Sequence, residues 1–345
     1  MKKLFFIAVM ASVAFASCTK NEPTTSVNEN QAITFATPVV SNLTKASLYF
    51  DDTVFPKTQT FNVFGYYHEG NFAGTGTSYM NDVTVSYSAD LGTNEDAGTG
   101  AWSVAGYYWP KNGKLTFDAY APSTIPMTST AAAGLAITSD YEVKNTVADQ
   151  VDILFSDRAY DKTASTGNIA TYDGVDIQFN HALSVVQVKV AAANTAAYNN
   201  IKITKISAKS VANKGKFAQN YTNGKTVSTA PSWTVNTNSS NEYIFGISET
   251  VLESTTLSTY GDYHILLPQT FVSGGATLVI EYSIKHGSEW LPQTNSYPLY
   301  NAYNDIEGWE MGKRYTYNFK IGLDQVYFAP QVDAWVDVDT TISSI

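Results

Sequence analysis

Residues able to do acid-base or metal chemistry are few in this 345-residue chain, and they lie far apart. The four histidines are His68, His181, His264 and His286. None has a second histidine four positions away or a cysteine beside it, so a metal site would have to be assembled wholly by the fold. His181 lies inside a strand-like tract, where we expect a core or bulge role. The sequence therefore predicts no metal and no cofactor.

Pairs of carboxylates are the other candidates for catalysis. They are Asp51 with Asp52, Asp149 with Asp152, and Asp173 with Asp176. A glycosidase needs two carboxylates at a set separation, which sequence spacing does not give, and loop carboxylates are common on protein surfaces. The chain has no Gly-x-Ser-x-Gly elbow, no P-loop and no Gly-x-Gly-x-x-Gly motif. We predict that it is not an enzyme.

The sole cysteine, Cys18, follows an apolar segment near the start of the chain. Two lysines precede the uncharged run from Leu4 to Phe15, which at about a dozen residues is too short to span a bilayer. Two small residues then lead to Cys18. This order resembles a bacterial lipoprotein signal, in which the cysteine carries the lipid, although Phe15 stands where leucine is usual. The alternative is an ordinary secretory signal followed by a free thiol.

Composition and charge narrow the class of protein. Aromatic residues make up 13% of the chain and charged residues 15%, a balance that favours strands over disorder or charged helices. The formal net charge of −10 argues against a nucleic-acid partner, because phosphate binding needs a basic face. No other apolar run approaches the length of a membrane span.

Runs with a period of two recur along the mature chain and predict strands. The polar residues 18–31 are a predicted tether. A short strand candidate follows over Ile33 to Val40, and we expect it to be an edge strand or a detachable one. Leu115, Phe117 and Ala119 share one face of a predicted half-buried antiparallel strand. No segment has a sustained period of 3.6, so few helices are expected.

The second half of the chain has the longest alternations, from Ala276 to Lys285 and from Arg314 to Ile321. Between Val175 and Val190 the apolar residues change from odd-numbered to even-numbered positions, which predicts a bulge near His181 to Val185. We predict an all-β chain with two antiparallel sandwiches in tandem. The predicted units are a signal peptide at 1–17, a tether at 18–31, an N-terminal β-sandwich at 32–173 and a C-terminal β-sandwich at 174–345.

Four tracts occur in a characteristic order over most of the mature chain. They are Ile33 to Lys45 followed by Ala46, Tyr107 to Pro110 running into Leu115 to Pro122, Phe179 to Ser184, and Gly312 to Tyr315 continuing to Val332 and Trp335. Together they resemble the fimbrillin-like lipoproteins of Bacteroidales, the subunits of type V pili. The resemblance implies two transthyretin-like sandwiches and export to the cell surface as an outer-membrane lipoprotein. It also implies proteolytic loss of the first strand and polymerisation with other pilin subunits by strand exchange.

The segment from Val332 to Asp339 alternates between apolar and acidic residues. A sandwich that has lost a strand presents open backbone groups and apolar pockets, which an extended segment of a neighbour can satisfy. The candidate pocket residues of such a donor strand are Val332, Ala334, Val336 and Val338. The alternative is that this segment is the last strand of its own domain.

Proteolytic processing has one leading candidate site. Stalk subunits of the best-known members of the family that this chain resembles are cut after arginine, but this chain has no arginine before Arg158. Lys45, directly before Ala46, is the candidate for a trypsin-like cut, and Lys57 is second. An uncleaved subunit would keep its groove filled and would serve as a tip or an anchor.

A surface glycan-binding lipoprotein is the main alternative function. Exposed aromatic rings can stack on sugars, and Trp109, Trp290 and Trp309 are the candidates. Core packing is the other role open to each of them. Host or bacterial surface glycans or proteins would then be the partners.

Overall fold

The computed structural model describes residues 31–40, 54–89, 100–164, 174–224, 226–227 (backbone only), 230–300 and 306–334 (333–334 backbone only). The chain is all-β, as predicted. The strands of the first half are β1 Ala32–Phe35, β2 Val39–Val40, β3 Thr60–His68, β4 Thr77–Ser88, β5 Ala101–Tyr108, β6 Lys114–Ala121, β7 Thr128–Thr130, β8 Gly134–Glu142, β9 Leu154–Ser156, β10 Ala159–Lys162 and β11 Gln178–His181.

The second half continues the same pattern, and the predicted alternations at 276–285 and 314–321 are strands β23 and β26. Its strands are β12 Ser184–Ala192, β13 Ile201–Ala212, β14 Lys214–Ala218, β15 Tyr221–Thr222, β16 Thr226–Val227, β17 Ser232–Val235, β18 Ser240–Gly246, β19 Thr250–Val251, β20 Ser258–Thr259, β21 His264–Leu266, β22 Gln269–Thr270, β23 Thr277–His286, β24 Glu289–Pro298, β25 Gly308–Trp309, β26 Lys313–Ile321 and β27 Val326–Ala334. Short 3-10 turns lie at Val147–Asp149 and Thr195–Ala197.

The first large sheet runs in the order β1-β5-β4-β3-β6-β9-β11-β2, with β10 paired to β6. Its two ends, β1 and β2, are consecutive pieces of one segment separated by only residues 36–38. The segment from residue 31 to 40, which we call the first-strand segment, therefore closes the sheet on itself. The core inside is apolar and includes Phe61, Phe117 and Phe179.

Strand β6 is more buried than its alternation predicted. Leu115, Phe117 and Ala119 face the first core, as expected. The opposite face is also inaccessible, because Asp118 is 0% exposed and Tyr120 packs into the second core at 1%. The prediction of a half-buried strand was therefore wrong. The polar residues of the second face are buried because other side chains pair with them, as Arg158 does with Asp118, so alternation alone does not show that a polar face meets water.

The second core is lined by two further sheets, β20-β12-β26-β27 and β18-β13-β23-β24. Side chains of a four-stranded sheet, β17-β14-β8-β7, and of the first large sheet also pack into it. Most pairings are antiparallel, but β12 runs parallel to β26 over eight residue pairs, and β11 runs parallel to β2. The expected purely antiparallel sheets therefore include two parallel pairings. Alternation reports which face of a strand is buried, and it carries no information on the direction of a neighbour.

The chain passes from the first sheet to the second core at Ala182 and Leu183, between β11 and β12. This break is where the apolar phase shifts in the sequence. The sheets do not divide the chain between residues 173 and 174. Strand β11 belongs to the first large sheet, and β8 from the first half pairs with β14 from the second.

Candidate functional site

The first-strand segment is held by the apolar side chains that its alternation places on one face. Ile33 and Phe35 are 0% and 1% exposed, and Val40 is 1% exposed. Pro38 lies between the two strands β1 and β2, where the regular pairing is interrupted. The chain continues past Val40 into residues 41–53, which lie outside the described part.

Backbone hydrogen bonds hold this segment on both sides. On one side β1 pairs antiparallel with β5, and the Trp109 amide donates to the Gln31 carbonyl at 2.9 Å. On the other side the Val175 amide donates to the Thr34 carbonyl at 2.9 Å, and the Ala36 amide donates back to Val175 at 3.0 Å. The segment is therefore an inserted strand, and the expectation of an edge strand was wrong.

The ring of Phe35 is the largest side chain that this segment inserts. Its centroid lies 5.7 Å from that of Phe61 and 5.6 Å from that of Phe117, with interplanar angles of 88° and 79°. Edge-to-face contacts of this kind stabilise beyond the area they bury. We call the space that this ring fills the Phe35 pocket.

Gly174 lets the first-strand segment approach closely from the other side. Its φ is +108°, and a Cβ at this position would lie 2.4 Å from the Phe35 carbonyl carbon and 2.6 Å from the Ala36 nitrogen. Position 174 entered the sequence prediction only as the first residue of the predicted C-terminal sandwich, and a glycine directly before the apolar Val175 was the signal that was missed. The residue is part of the seat of the strand.

Loss of the first-strand segment would open a groove between β5 and residues 175–179. Ile33, Phe35 and Val40 together contribute about 5 kcal/mol of apolar burial at ordinary values. The backbone groups of both walls would also lose their partners, and unpaired edges are costly when they are shielded from water. Such a groove favours occupation by another extended segment.

Most of the residues predicted for proteolytic processing and strand donation lie away from the groove of the first-strand segment. Cys18, Lys45, Ala46, Val336 and Val338 lie outside the described residues. Val332 and Ala334 are in β27, where their backbones pair with Tyr315 and Lys313 of β26. The side chain of Val332 is 42% exposed. In the described part of the chain, β27 is the last strand of its own sheet and lies at the edge of that sheet.

The three candidate tryptophans differ in exposure. Trp109 and Trp309 are core residues, 7% and 2% exposed, and the Trp309 indole donates to the Tyr317 hydroxyl at 2.9 Å. Trp290 is half-buried on β24, with the ammonium groups of Lys202 and Lys285 5.0 Å and 6.0 Å from its ring. Of these tryptophans, only Trp290 presents its ring at the surface.

The histidines do not converge on one site. His181 Nδ1 lies 2.9 Å from Asp152 Oδ2, and both side chains are buried. His264 Nδ1 accepts from the Gln150 amide at 2.9 Å, while its Nε2 donates to the Ile244 carbonyl at 3.0 Å. Burial lowers the pKa of His264. Among residues that the structure describes, no three His, Cys, Asp or Glu side chains gather as a metal site would require.

The family becomes clear when the sequence is compared with known proteins. The sequence profile of the fimbrillin-like family matches residues 13–335. The chain belongs to the fimbrillin-like family. The match includes the first-strand segment, the Phe35 pocket and β27. No curated protein sequence matches this chain at a significant level.

Two solved structures of similar fold come from species of Bacteroides. A fimbrial protein from Bacteroides vulgatus superposes with a TM-score of 0.59 at 16% identity, covering 89% of this chain and 100% of that one. A candidate cell adhesion protein from Bacteroides uniformis gives 0.52 at 15% identity, covering 91% and 100%. At these identities the likeness establishes the fold. Within the described ranges, no helix has the length and apolar composition needed to cross a membrane.

Proposed function

We propose that this fimbrillin-like chain is a structural subunit of a type V fimbria, exported as a lipoprotein and assembled by protease-triggered strand exchange. The observation that carries the proposal is the first-strand segment. It is hydrogen-bonded on both sides, buries three apolar side chains, and comes first among the residues that the structure describes. A single cut after it would make it replaceable.

The proposed sequence of events begins at the membrane. Cys18 carries the lipid that holds the precursor at the outer membrane. A trypsin-like protease then cuts between Lys45 and Ala46, which separates the first-strand segment and the lipid from the rest of the chain. The released subunit keeps a groove between β5 and residues 175–179, and a strand of a neighbouring subunit fills it.

Burial of the arginines supports a lysine as the point of cleavage. The two arginines of the chain, Arg158 and Arg314, are 5% and 8% exposed, so neither side chain is accessible to the specificity pocket of a protease. Lys57 is exposed, but its ammonium group donates to the Tyr87 hydroxyl at 3.1 Å and lies over that ring. Lys45 lies in the segment that directly follows Val40.

The donor in this scheme is the alternating segment around Val336 and Val338. Use of Val332 and Ala334 as pocket residues requires that their pairs with β26 break first. Such exchange is feasible because β27 is an edge strand, and its loss leaves β26 paired with β12 on its other side.

Limited trypsin digestion of the purified full-length chain tests the proposed function. We expect loss of the first-strand segment and growth of SDS-resistant ladders, as inserted strands dissociate slowly. A Lys45→Gln variant is the matched control and should stay monomeric under the same digestion. Trimmed wild-type chain that remains monomeric would contradict a stalk role. Failure of any protease to release the segment would favour a tip or anchor.

Binding of surface glycans is the second candidate function, and the half-buried Trp290 beside Lys285 favours it. An aromatic ring with an ammonium group near it suits an acidic sugar, and the other nearby ammonium group, that of Lys202, is already paired with Glu249 at 2.9 Å. Trp290→Ala should then abolish retention on an acidic polysaccharide without lowering the melting temperature. Equal retention of wild type and variant would exclude Trp290 as a binding platform.

A further inference from the structure

The groove that the first-strand segment fills is unevenly shaped along its length. Ile33 and Val40 are aliphatic, whereas Phe35, two residues after Ile33, is aromatic and fully enclosed. The walls of the Phe35 pocket are themselves rings, with Phe61 packed in turn against Phe55, Trp102 and Phe179. Such a cluster of interlocked rings cannot collapse around a small side chain without moving several neighbours.

We propose that this groove selects its donor by an aromatic side chain two residues after an aliphatic one. The inference rests on the proposed function, since it concerns the strand that replaces the first-strand segment. It specifies the chemistry of the donor strand, which is an extended segment with an aliphatic-x-aromatic spacing, that is, an aromatic residue two positions after an aliphatic one. The segment must run antiparallel to β5 and parallel to residues 175–179, as the first-strand segment does.

The donor candidate of this chain does not have that spacing. Its apolar face carries Val332, Ala334, Val336 and Val338, none of which is aromatic. Trp335 lies on the opposite face, and its neighbours on that face are Asp333 and Asp337. Placing Trp335 in the Phe35 pocket would therefore bury a carboxylate in the pocket of Ile33, whichever way the strand runs.

A second copy of this chain is consequently a weaker donor for this groove than a strand with the aliphatic-x-aromatic spacing. Concentrated trimmed chain still forms ladders, because an extended apolar strand restores the backbone hydrogen bonds of the groove even where it underfills the Phe35 pocket. A strand from a different subunit that carries the spacing should displace it, so copies of this chain would alternate with, or end against, another protein in a fibre that contains both.

Peptide exchange into the cut chain tests this selectivity. The full-length chain is given a site-specific protease sequence between residues 45 and 46, folded, and cut, so that the first-strand segment stays bound without a covalent link. A fluorescent peptide of residues 31–40 replaces it, and unlabelled peptides compete in mild denaturant. The competitors are the 31–40 sequence, its Phe35→Ala variant, the 332–341 sequence, and the Ala334→Phe variant of that peptide.

We expect the 31–40 peptide to compete best and its Phe35→Ala variant to be about a hundredfold weaker. The 332–341 peptide should compete no better than that variant. Ala334→Phe should improve it at least about tenfold, because it places a ring two residues after Val332. Equal competition by the 31–40 and 332–341 peptides would overturn the selectivity alone. No exchange of any peptide, including 31–40, would overturn strand exchange itself.

Discussion

Arg158 and Asp118 form a two-point ion pair inside the protein. The Arg158 Nε donates to Asp118 Oδ1 at 2.8 Å, and Nη2 donates to Oδ2 at 2.6 Å. Both side chains are inaccessible to solvent. Nη1 also donates to the carbonyls of Ala131 and Gly224, at 2.7 Å and 3.2 Å. One guanidinium thus ties β6 to the turn after β7 and to the turn before β16.

Removing one member of this pair should destabilise the subunit strongly. Arg158→Met leaves the Asp118 carboxylate buried without its cation, which costs about 3–5 kcal/mol. The measurement is the free energy of unfolding in urea. Lys205→Met is the matched control, since its 2.8 Å pair with Glu242 is partly solvated, and exposed pairs contribute at most about 1 kcal/mol. Similar losses in both variants would contradict a structural role for the buried pair.

Gly174→Ala should loosen the first-strand segment. A methyl group there meets the backbone of Phe35 and Ala36, and the φ of +108° disfavours any side chain. Gly274→Ala is the control, because its φ is +75° and a Cβ there would meet nothing within 4 Å. We expect the cut first-strand segment to dissociate faster from the Gly174→Ala variant than from the wild type, and no faster from Gly274→Ala. Mass spectrometry measures the rate of its release. Equal release rates would mean that this approach does not hold the strand.

Stability should fall in mild acid because of His264. Burial lowers the pKa of this imidazole in the folded chain, and protonated Nδ1 could no longer accept from Gln150. The unfolded chain takes up the proton near pH 6.5, where histidine normally titrates. The unfolded state then binds more protons than the native state, so the free energy of unfolding falls as the pH drops below about 6.5.

Urea unfolding at a series of pH values measures how the free energy of unfolding depends on pH. His264→Gln should weaken this pH dependence, whereas substitution of the exposed His286 by glutamine should leave it as in the wild type. A wild-type free energy of unfolding that stays constant between pH 7.5 and 5.5 would rule out the effect.

A separate prediction concerns the predicted donor strand, the alternating segment from Val332 to Asp339. Val336→Asp should block polymerisation, because the carboxylate would have to enter the groove of a partner unpaired or take up a proton. Trp335→Ser, on the opposite face, should be much milder. Ladder formation after trimming is the assay, and the melting temperature of the monomer is the control. Unfolding of the Val336→Asp monomer would show instead that the segment is a strand of its own domain.

The sequence by itself determined the class of fold and the positions of the long strands. These follow from which side chains alternate, because a strand with one face buried presents apolar and polar residues with a period of two. The shift of apolar positions predicted a bulge near His181 to Val185, where the structure instead ends β11 and begins β12 in another sheet. The apolar residues Ile33 and Val40 likewise predicted a short strand, which the structure has as β1 and β2. The alternation in β23 and β26 was strong enough to give their bounds to within about a residue.

Only the tertiary structure decided what those faces meet. Asp118 lies on the polar phase of β6, and nothing in its spacing indicates that Arg158 reaches it from 40 residues away. Trp309 and Trp290 look alike in sequence, yet one is enclosed and the other half-exposed. The parallel pairing of β12 with β26 and the insertion of the first-strand segment between β5 and residue 175 are also long-range. The period of two in the apolar residues indicates which face of a strand is buried. Which element packs against that face depends on how distant strands associate, and the local sequence does not encode this.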